Sequence, residues 1–553
     1  MKAHIRMVLL TASILLCLFG SAYQPVSNII QQGGPTPPPV THQHFNQLES
    51  LLSQNSTGPL SASDYRNPPN PICAISSSGP NANTDCEGTN PHNETSLAVN
   101  PTNPLNIIGG ANDYQWIRHI NSNYIIVHTR AHTTFDGGQT WSMVPISYKN
   151  YAGTGDPAVA FDAGGAAYMA TLGFVWSQGF GFGTAPDILV STSRDGGKNW
   201  SDPAVVAKGT GSYLSPTIFN DKEYLTAWGN GNAIVTWTVF HSGLHGAYLN
   251  SPIYASVTHD YGQTWSPGVS ISGSASFCDG SAGDTACDQD QGSVPVVAAD
   301  GSIYVAFISQ SNHVDFRSQV LVVKVDPVTG QRIAGPFKAA SLVDGITDYP
   351  INADFRQTYQ DSQFRTWSPG NLTADPTNAS HLAIAWSDMR NSPLPANPDP
   401  YQAITDSDVS VAESLDGGLT WSAPLTIRAA GDQFMPWAAF DANGLLRIGY
   451  YDRSYDPANH KYGYTLATRT GSGTLAFSTA RVSTALSDPT RGNRWFYTTK
   501  DPAFPYATTF IGDYSGIAIL PTGVAALWTD LRETACYNNL CRSGMDAYFG
   551  TLK

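Results

Sequence analysis

Apolar and polar positions follow one pattern seven times along this chain. A short apolar run meets a turn of Asp, Asn, Pro and Gly, and a second apolar run follows. The segments are SLAVNPTNPLNIIGGA, AVAFDAGGAAYMATL, YLTAWGNGNAIVTWTVF, VPVVAADGSIYVAF, LTADPTNASHLAIAW, WAAFDANGLLRIGYY and SGIAILPTGVAALW, beginning at Ser96, Ala158, Tyr224, Val294, Leu372, Trp437 and Ser515. They recur every ~60 to 80 residues, which marks a repeat architecture. Nearly continuous apolar strand pairs suit strands covered on both faces, as the inner strands of propeller blades are. The pattern predicts an all-β propeller with seven blades over residues 93–553.

A second repeat overlays the first. TFDGGQTWS from Thr134, SRDGGKNWS from Ser193, THDYGQTWS from Thr258 and SLDGGLTWS from Ser414 share Ser/Thr-x-Asp-x-Gly-x-(Thr/Asn)-Trp-Ser. Asp136, Asp195, Asp260 and Asp416 can accept backbone N–H groups of a tight turn. Gly138, Gly197, Gly262 and Gly418 supply a positive φ. Trp141, Trp200, Trp265 and Trp421 can bury a ring at the hairpin base. These turns follow the first, second, third and fifth hairpins. After the fourth and sixth, Asp326–Gly330 and Arg469–Gly473 take the equivalent place. The seventh hairpin is followed by one strand-like stretch, Met545–Gly550, so its fourth strand must come from the N-terminal segment, around Pro71–Ile75.

Composition narrows the class. Only 13% of residues are charged, against 51 Gly and 37 Pro, which favours short strands and turns over long surface helices. A net charge of −14 repels phosphate backbones and excludes nucleic acid as a natural partner. Lys2 and Arg6, the apolar run Met7–Phe19 and Gly20-Ser21-Ala22 read as a signal peptide over 1–22. No second run of that kind follows, so the mature chain reads as a secreted or periplasmic monomer that does not span a membrane. Cys17 follows Leu16 rather than a small residue, which argues against lipid anchoring. The remaining cysteines fall into three local pairs, Cys73/Cys86, Cys278/Cys287 and Cys536/Cys541, as expected of disulfides in an oxidising compartment. Residues 23–92, rich in Pro, Asn and Ser, read as a linker and strap.

Propeller topology assigns the charges to faces. The turn between the third and fourth strands of a blade lies on one face; the exit of the second strand and the entry to the first lie on the other. The Asp turns are therefore structural. On the opposite face, three blades end their second strands alike, as Trp386-Ser387-Asp388-Met389-Arg390, Tyr450-Tyr451-Asp452-Arg453 and Trp528-Thr529-Asp530-Leu531-Arg532. Asp113 ends the corresponding strand of blade 1. The first-strand entries carry Glu94, Asp156, Asp221 with Glu223, Asp290, Asp432 and Asp513. These Asp-x-Arg endings read either as blade-to-blade ion pairs or as ligand contacts around one mouth of the channel.

The four Asp turns are Asp-boxes. With the segments NETSLAVNPTNP, GDPAVAFD, DQFMPWAAFD and FIGDYSG, the chain from Asn93 to Lys553 resembles bacterial sialidase-superfamily proteins with BNR repeats. That resemblance makes six blades the alternative count. It implies an exo-α-sialidase type of hydrolysis, in which three arginines hold a substrate carboxylate, a tyrosine paired with a glutamate is the nucleophile and an aspartate is the acid/base. A guanidinium fork matches a carboxylate, and a tyrosine avoids the repulsion that a carboxylate nucleophile meets at an anionic sugar. Carried onto this chain, Arg390, Arg453 and Arg532, with Asp388, Asp452 and Asp530, form the substrate clamp. Tyr514 or Tyr451 is the nucleophile, Glu223 its base, and Asp113 or Asp156 the acid. The Phe/Tyr-Arg-Ile-Pro motif of the family is absent: Phe316-Arg317, Phe355-Arg356 and Phe364-Arg365 lack the Ile-Pro.

No cofactor is required by this chemistry. One loop, with Asp279, Asp284, Asp288 and Asp290 around Cys278 and Cys287, offers clustered oxygen ligands for Ca²⁺, although not at EF-hand spacing. The chain has no phosphate-cradling Gly-rich loop, HExxH or G-x-S-x-G. The expected function is a secreted sialidase-like exo-glycosidase acting on glycans or glycoconjugates. The alternatives are a non-catalytic carbohydrate- or protein-binding propeller and an extracellular scaffold.

Overall fold

The computed structural model describes residues 72–74, 80–85, 90–119, 122–149, 151, 153–174, 185–211, 215–345, 347–393, 404–470, 477–492, 496–537 and 540–553. The signal segment 1–22, most of 23–92, Cys86 and part of the Arg469–Gly473 turn lie outside these residues. Strands account for nearly all regular structure, and among the described residues the one helical element is the single 3₁₀ turn Leu244–Gly246.

The strands form seven antiparallel blades, each ordered from the channel outward. Blade 1 comprises His92–Val99, Ile107–His119, Ser122–Thr134 and Thr140–Val144; blade 2 comprises Gly153–Phe161, Ala167–Phe174, Asp187–Ser193 and Ala204–Ala207. Blade 3 has Thr217–Trp228, Asn232–Ser242, Ile253–Thr258 and Val269–Ser270; blade 4 has Asp290–Val297, Ile303–Gln310, Ser318–Val325 and Arg332–Ser341. Blade 5 has Asn371–Ala374, Leu382–Asp388, Asp408–Ser414 and Leu425–Ile427; blade 6 has Gln433–Phe440, Leu446–Asp452, Gly463–Arg469 and Phe477–Arg481. Blade 7 takes Gly516–Leu520, Gly523–Asp530 and Asp546–Leu552 from the C-terminal end and Asn81–Asn83 from the N-terminal end. Each apolar hairpin of the sequence is the inner strand pair of one blade. The innermost strands neighbour one another around the ring, and blade 7 meets blade 1.

The core is a series of layers between blades. Ala383, Ala385, Val409 and Val411 of blade 5 pack on Ala438, Leu446 and Ile448 of blade 6. Leu97, Ile107 and Trp141 of blade 1 pack on Ala525, Leu527 and Phe549 of blade 7. Because these strands are covered on both faces, apolar side chains occupy consecutive positions rather than alternate ones.

The strand that closes the ring differs from the expectation. Ile72–Ala74, within the expected Pro71–Ile75, adds a fifth strand to blade 1, with Ile72 opposite Ser142. Closure falls to Asn81–Asn83, with Asn81 opposite Gly550. Side-chain hydrogen bonding decides the matter. Asn81 donates from Nδ2 to Val482 O at 3.0 Å and accepts from Thr484 N at 2.6 Å, tying the closing strand to blade 6. Apolarity favours Ile72–Ala74 for any strand position; the polar Asn81 alone fits this edge.

The four Asp turns are alike in their bonding. Asp136 Oδ1 accepts Thr140 N at 2.9 Å and its Oδ2 accepts Thr140 Oγ1 at 2.6 Å. Asp195, Asp260 and Asp416 repeat this with Asn199, Thr264 and Thr420, at 2.6 Å for the side-chain bond in each. Gly138, Gly197, Gly262 and Gly418 have φ between 76° and 96°. Trp141 is fully buried, whereas Trp200, Trp265 and Trp421 are partly so. The turns share a face with the connections inside the inner hairpins: Gly137 N donates to Leu105 O and Gly417 N to Ser380 O, both at 2.9 Å.

Two long connections, residues 342–370 between blades 4 and 5 and 482–515 between blades 6 and 7, cover the other face. They are bonded to each other and to blade 6. Gln363 Nε2 donates to Asp501 Oδ2 at 3.2 Å, and Arg365 N to Thr509 O at 3.2 Å. Tyr359, Phe364, Phe434, Tyr451, Tyr462, Phe496 and Phe510 make an aromatic core beneath them.

Candidate functional site at the channel mouth

Five first strands carry the same bulge at their entry. Pairing with the second strand breaks between Asn93 and Ser96, Gly155 and Ala158, Asp221 and Tyr224, Gln291 and Val294, and Phe434 and Trp437. The first bulged residue has a positive φ each time: Glu94 53°, Asp156 56°, Lys222 49°, Gly292 66° and Met435 49°. Glycine adopts that conformation freely, whereas a residue with a side chain is strained by about 1–2 kcal/mol. In blades 1 to 3 the strained residue is charged.

The bulges aim these charges at one point. Lys222 Nζ lies 3.1 Å from Glu94 Oε1, 3.4 Å from Asp156 Oδ2 and 3.3 Å from Asp513 Oδ2. Blade 3 adjoins neither blade 1 nor blade 7, so the lysine reaches across the channel. Arg365, from the connection between blades 4 and 5, forks onto Asp513, with Nε donating to Oδ1 at 2.9 Å and Nη2 to Oδ2. Asn112 Nδ2 donates to Glu94 Oε2 at 2.7 Å, and Asp156 N donates to Asn112 Oδ1 at 3.0 Å. The Lys222 ammonium stands 4.2 Å from the centre of the Tyr514 ring and 5.7 Å from that of Trp367. Tyr224 and Trp437, two residues past their bulges, meet across the channel with ring centres 5.0 Å apart. Lys222, Arg365, Trp367 and Tyr514 each keep some solvent exposure.

Electrostatics split the carboxyl groups. Burial, then Asp156, hold Glu94 well above the ordinary carboxylate range despite Lys222. Burial and Asp156 do the same to Glu223 and push Asp221 up to about 8. Burial also opposes charge on Asp513, but Arg365 and Lys222 outweigh it and hold this group below its usual range. Burial, with Glu94 and Asp156, raises the Tyr514 hydroxyl well above its ordinary value. Glu223 is 3% exposed, and among the described residues neither of its carboxylate oxygens has a hydrogen-bond partner. Carboxyls held above the ordinary range beside one held below it, at a partly buried mouth, are the raw material of general acid–base chemistry.

Of the residues singled out in the sequence, Tyr514, Glu223 and Asp156 come together here. Asp113 does not: Arg130 Nε binds its Oδ2 at 2.6 Å, and His92 Nε2 lies 3.4 Å from its Oδ1. Tyr451 is buried in the aromatic core and accepts Thr529 N at 3.0 Å. The three clamp arginines are apart. Arg390 folds back on Asp388, with Nε to Oδ1 at 2.8 Å and Nη2 to Oδ2 at 2.7 Å, and reaches Ser341 O of blade 4 at 3.1 Å. Arg532 repeats this on Asp530 at 2.9 and 2.7 Å and reaches Thr484 Oγ1 beyond blade 6 at 2.8 Å. The indoles of Trp386 and Trp528 donate to the same aspartates at 3.0 and 2.9 Å. Each Trp-x-Asp-x-Arg ending thus clips a blade to the one before it.

In blade 6 arginine directly follows aspartate, and the clip cannot form. Asp452 accepts Ser454 N at 2.9 Å and Thr465 Oγ1 at 2.8 Å. Arg453 turns under the cap, fully buried, and donates to Asp432 Oδ2 at 3.2 Å, Gln360 O at 3.1 Å and Ser362 Oγ.

The acidic loop is pinned by the Cys278–Cys287 disulfide, but its carboxylates face different partners. Asp279 pairs with His313. Asp284 Oδ1 accepts Ala286 N at 2.9 Å, and Asp288 accepts Ser281 N at 2.8 Å and Ser281 Oγ at 2.6 Å. Asp290 is buried at the entry of blade 4. Cys536 and Cys541 stand opposite each other in a hairpin.

The site residues that sequence reasoning missed are Lys222, Arg365 and Trp367. A signal for the first existed: Glu94, Asp156, Lys222 and Asp513 each lie two residues ahead of an apolar hairpin. Arg365 belongs to one of the Phe-Arg pairs, but nothing local distinguishes it from Arg317 or Arg356.

Among the described residues no helix is long and apolar enough to cross a membrane. No protein-family model matches the chain, and no curated protein matches it. Solved structures similar to it include a protein of unknown function from Dyadobacter fermentans, at 10% identity and TM-score 0.42 over 87% of this chain and 98% of that one. A point mutant of the NanB sialidase from Streptococcus pneumoniae has 9% identity and TM-score 0.41 over 84% and 94% of the two chains. The GH93 α-L-arabinofuranosidase of Fusarium graminearum, in complex with arabinobiose, has 10% identity and TM-score 0.38 over 86% and 97%.

Proposed function

We propose that this chain is a secreted exo-glycosidase of sialidase type, and that the mouth around Lys222 is its active site. The observation that carries the reading is the convergence of Glu94, Asp156, Asp513, Glu223 and Tyr514 on one lysine from four blades. In this reading Tyr514 attacks the anomeric carbon, and the ionised form of Glu223, whose carboxylate receives no hydrogen bond among the described residues, takes the phenolic proton. Asp156 or Glu94 protonates the leaving oxygen. Arg365 and Lys222 orient the substrate, with Arg365 in the role the resemblance gives to the first clamp arginine. Burial raises the Tyr514 hydroxyl, so its proton leaves only as the bond to sugar forms, and Glu223, raised as well, must first lose its own proton to accept it.

The second reading is a non-catalytic glycan-binding propeller. It is favoured by the bonds that already engage Arg390, Arg453 and Arg532, since these leave Arg365 as the one arginine at the mouth among the described residues.

A panel of fluorogenic exo-glycosides, sialosides included, separates the two. Turnover by the mature protein is expected, with kcat lowered roughly 10²–10⁴-fold in Glu223→Gln and Tyr514→Phe. Turnover confined to neutral glycosides removes the sialidase type but keeps the site. Absence of any turnover by folded protein that still binds glycans on an array replaces the enzyme with the binding module.

A further inference from the structure

A second group of titratable side chains lies where the chain closes its ring. Asp85 follows the N-terminal closing strand, His92 opens blade 1, and Asp546 opens the third strand of blade 7. Backbone bonds lace these segments together: Thr84 N donates to Ala547 O at 2.9 Å and His92 N to Met545 O at 2.5 Å. All three side chains are buried, and one ligand atom from each lies within 4.8 Å of the others. Among the described residues no other trio of His, Cys, Asp or Glu does this.

Around Asp546 the described residues supply more acid than base. Among the described residues, Asp546 Oδ2 is buried and receives no hydrogen bond from any N–H or O–H. The neighbouring groups that act on it are further acids, Asp85 first, then Asp530 and Glu533. Among the described residues, Arg130 is paired with Asp113 at 2.6 Å and Arg532 with Asp530 at 2.7 Å. Glu533 takes the Tyr548 hydroxyl. Two facing carboxylates in a buried site need either a shared proton or a cation. The third member decides which. His92 Nδ1 faces Asp85 Oδ2 at 3.3 Å, with the Asn90 carbonyl oxygen 3.1 Å from the same nitrogen. On the far side its Nε2 faces Asp113 Oδ1 at 3.4 Å. The imidazole thus stands between two carboxylates, Asp85 before Nδ1 and Asp113 behind Nε2, and a carboxylate behind the remote nitrogen is the support commonly found for a metal-bound histidine. One nitrogen with carboxylate oxygens suits a borderline cation rather than the all-oxygen preference of Ca²⁺ or Mg²⁺.

We propose that Asp85, His92 and Asp546 bind a divalent transition-metal ion of the zinc type, which staples the ring closed where its two chain ends meet. The proposal is independent of the reading of the channel mouth.

The test is metal content and metal-dependent stability of the full mature chain, expressed without a histidine tag. Mass spectrometry should find about one zinc per chain, as a structural site requires. After chelation, added Zn²⁺ should raise Tm by about 3 °C or more, and Zn²⁺ affinity should fall at least about 10-fold in Asp546→Asn. His92→Gln, measured alongside, covers the case in which Asp546→Asn does not fold. A chelated wild-type chain that stays folded, takes up neither Zn²⁺ nor Mn²⁺ and shows no change in Tm overturns the proposal. Asp546→Asn that keeps full Zn²⁺ affinity overturns it equally.

Discussion

Aspartates serve both faces of this propeller, to opposite ends. On one face Asp136, Asp195, Asp260 and Asp416 each meet a hydroxyl or amide four residues on and the backbone of the same turn. They sit near the surface, and their bonds hold them below the usual carboxylate range, Asp416 at about 2 through Thr420 first. On the other face the carboxyls of blades 1, 2, 3 and 7 find one another instead. There burial raises Glu94, Asp221 and Glu223, and one lysine serves three acids. Where a charge recurs with its own partner built into the repeat, it is part of the scaffold. Where a charge at a repeated position finds its partners only in other blades, the repeat alone does not fix its role.

The contrast is sharpest at Lys222. Replacing it by methionine leaves Asn112 on Glu94 and Arg365 on Asp513 and takes the ammonium from Asp156. Removing one member of a buried ionic group costs about 3–5 kcal/mol, and urea unfolding at pH 7 should show a loss of that order. The loss should shrink in acid, where the carboxyls take up protons instead. A loss under about 1 kcal/mol would mean that the cluster is far wetter than its burial indicates.

At Asp221 the effect is a slope against pH rather than a loss at one pH, and its sign is set by the direction of its shift. Its folded value, about 8, lies above that of the unfolded chain, so the folded state binds the extra proton. The group therefore favours folding below pH ~4, and that contribution fades as pH rises toward ~8. Asp221→Asn should flatten the fall in stability across this window by at most about 1.4 kcal/mol per pH unit. Unchanged slopes in unfolding experiments from pH 4 to 8 would remove Asp221 from the buried acid cluster.

The smallest effect belongs to the turns. Asp416→Ala loses bonds to one exposed turn and should cost about 1 kcal/mol or less, as a lost cap does. Glycoside turnover should be untouched. An Asp416→Ala variant with lost activity but intact stability would break the division between the faces.

Much of this was legible in the chain. The inner hairpins, the blade number and the face of the Asp turns follow from apolar runs and turn residues at a regular spacing, because each blade repeats the same local problem. Asp156, Glu223 and Tyr514 were reachable by the same count of strand ends. Arg390 and Arg532 were recognisable as a pair, but their bonds to Asp388 and Asp530 depend on χ angles and on a neighbouring blade. Arg453 looks like their equal in sequence; a missing residue between it and Asp452 sends it under the cap instead.

What the sequence by itself determined is the propeller: periodic burial, glycine at turns needing a positive φ, and aspartates that bond within their own turn are all local. Tertiary structure alone decided that Lys222 crosses the channel, that Arg365 arrives from the connection between blades 4 and 5, and that Asn81–Asn83 closes the ring. Those outcomes rest on meetings between residues as much as 469 positions apart, as in Asn81 opposite Gly550. Such meetings depend on how far the ring turns before its ends come together, and no short stretch of chain records that angle.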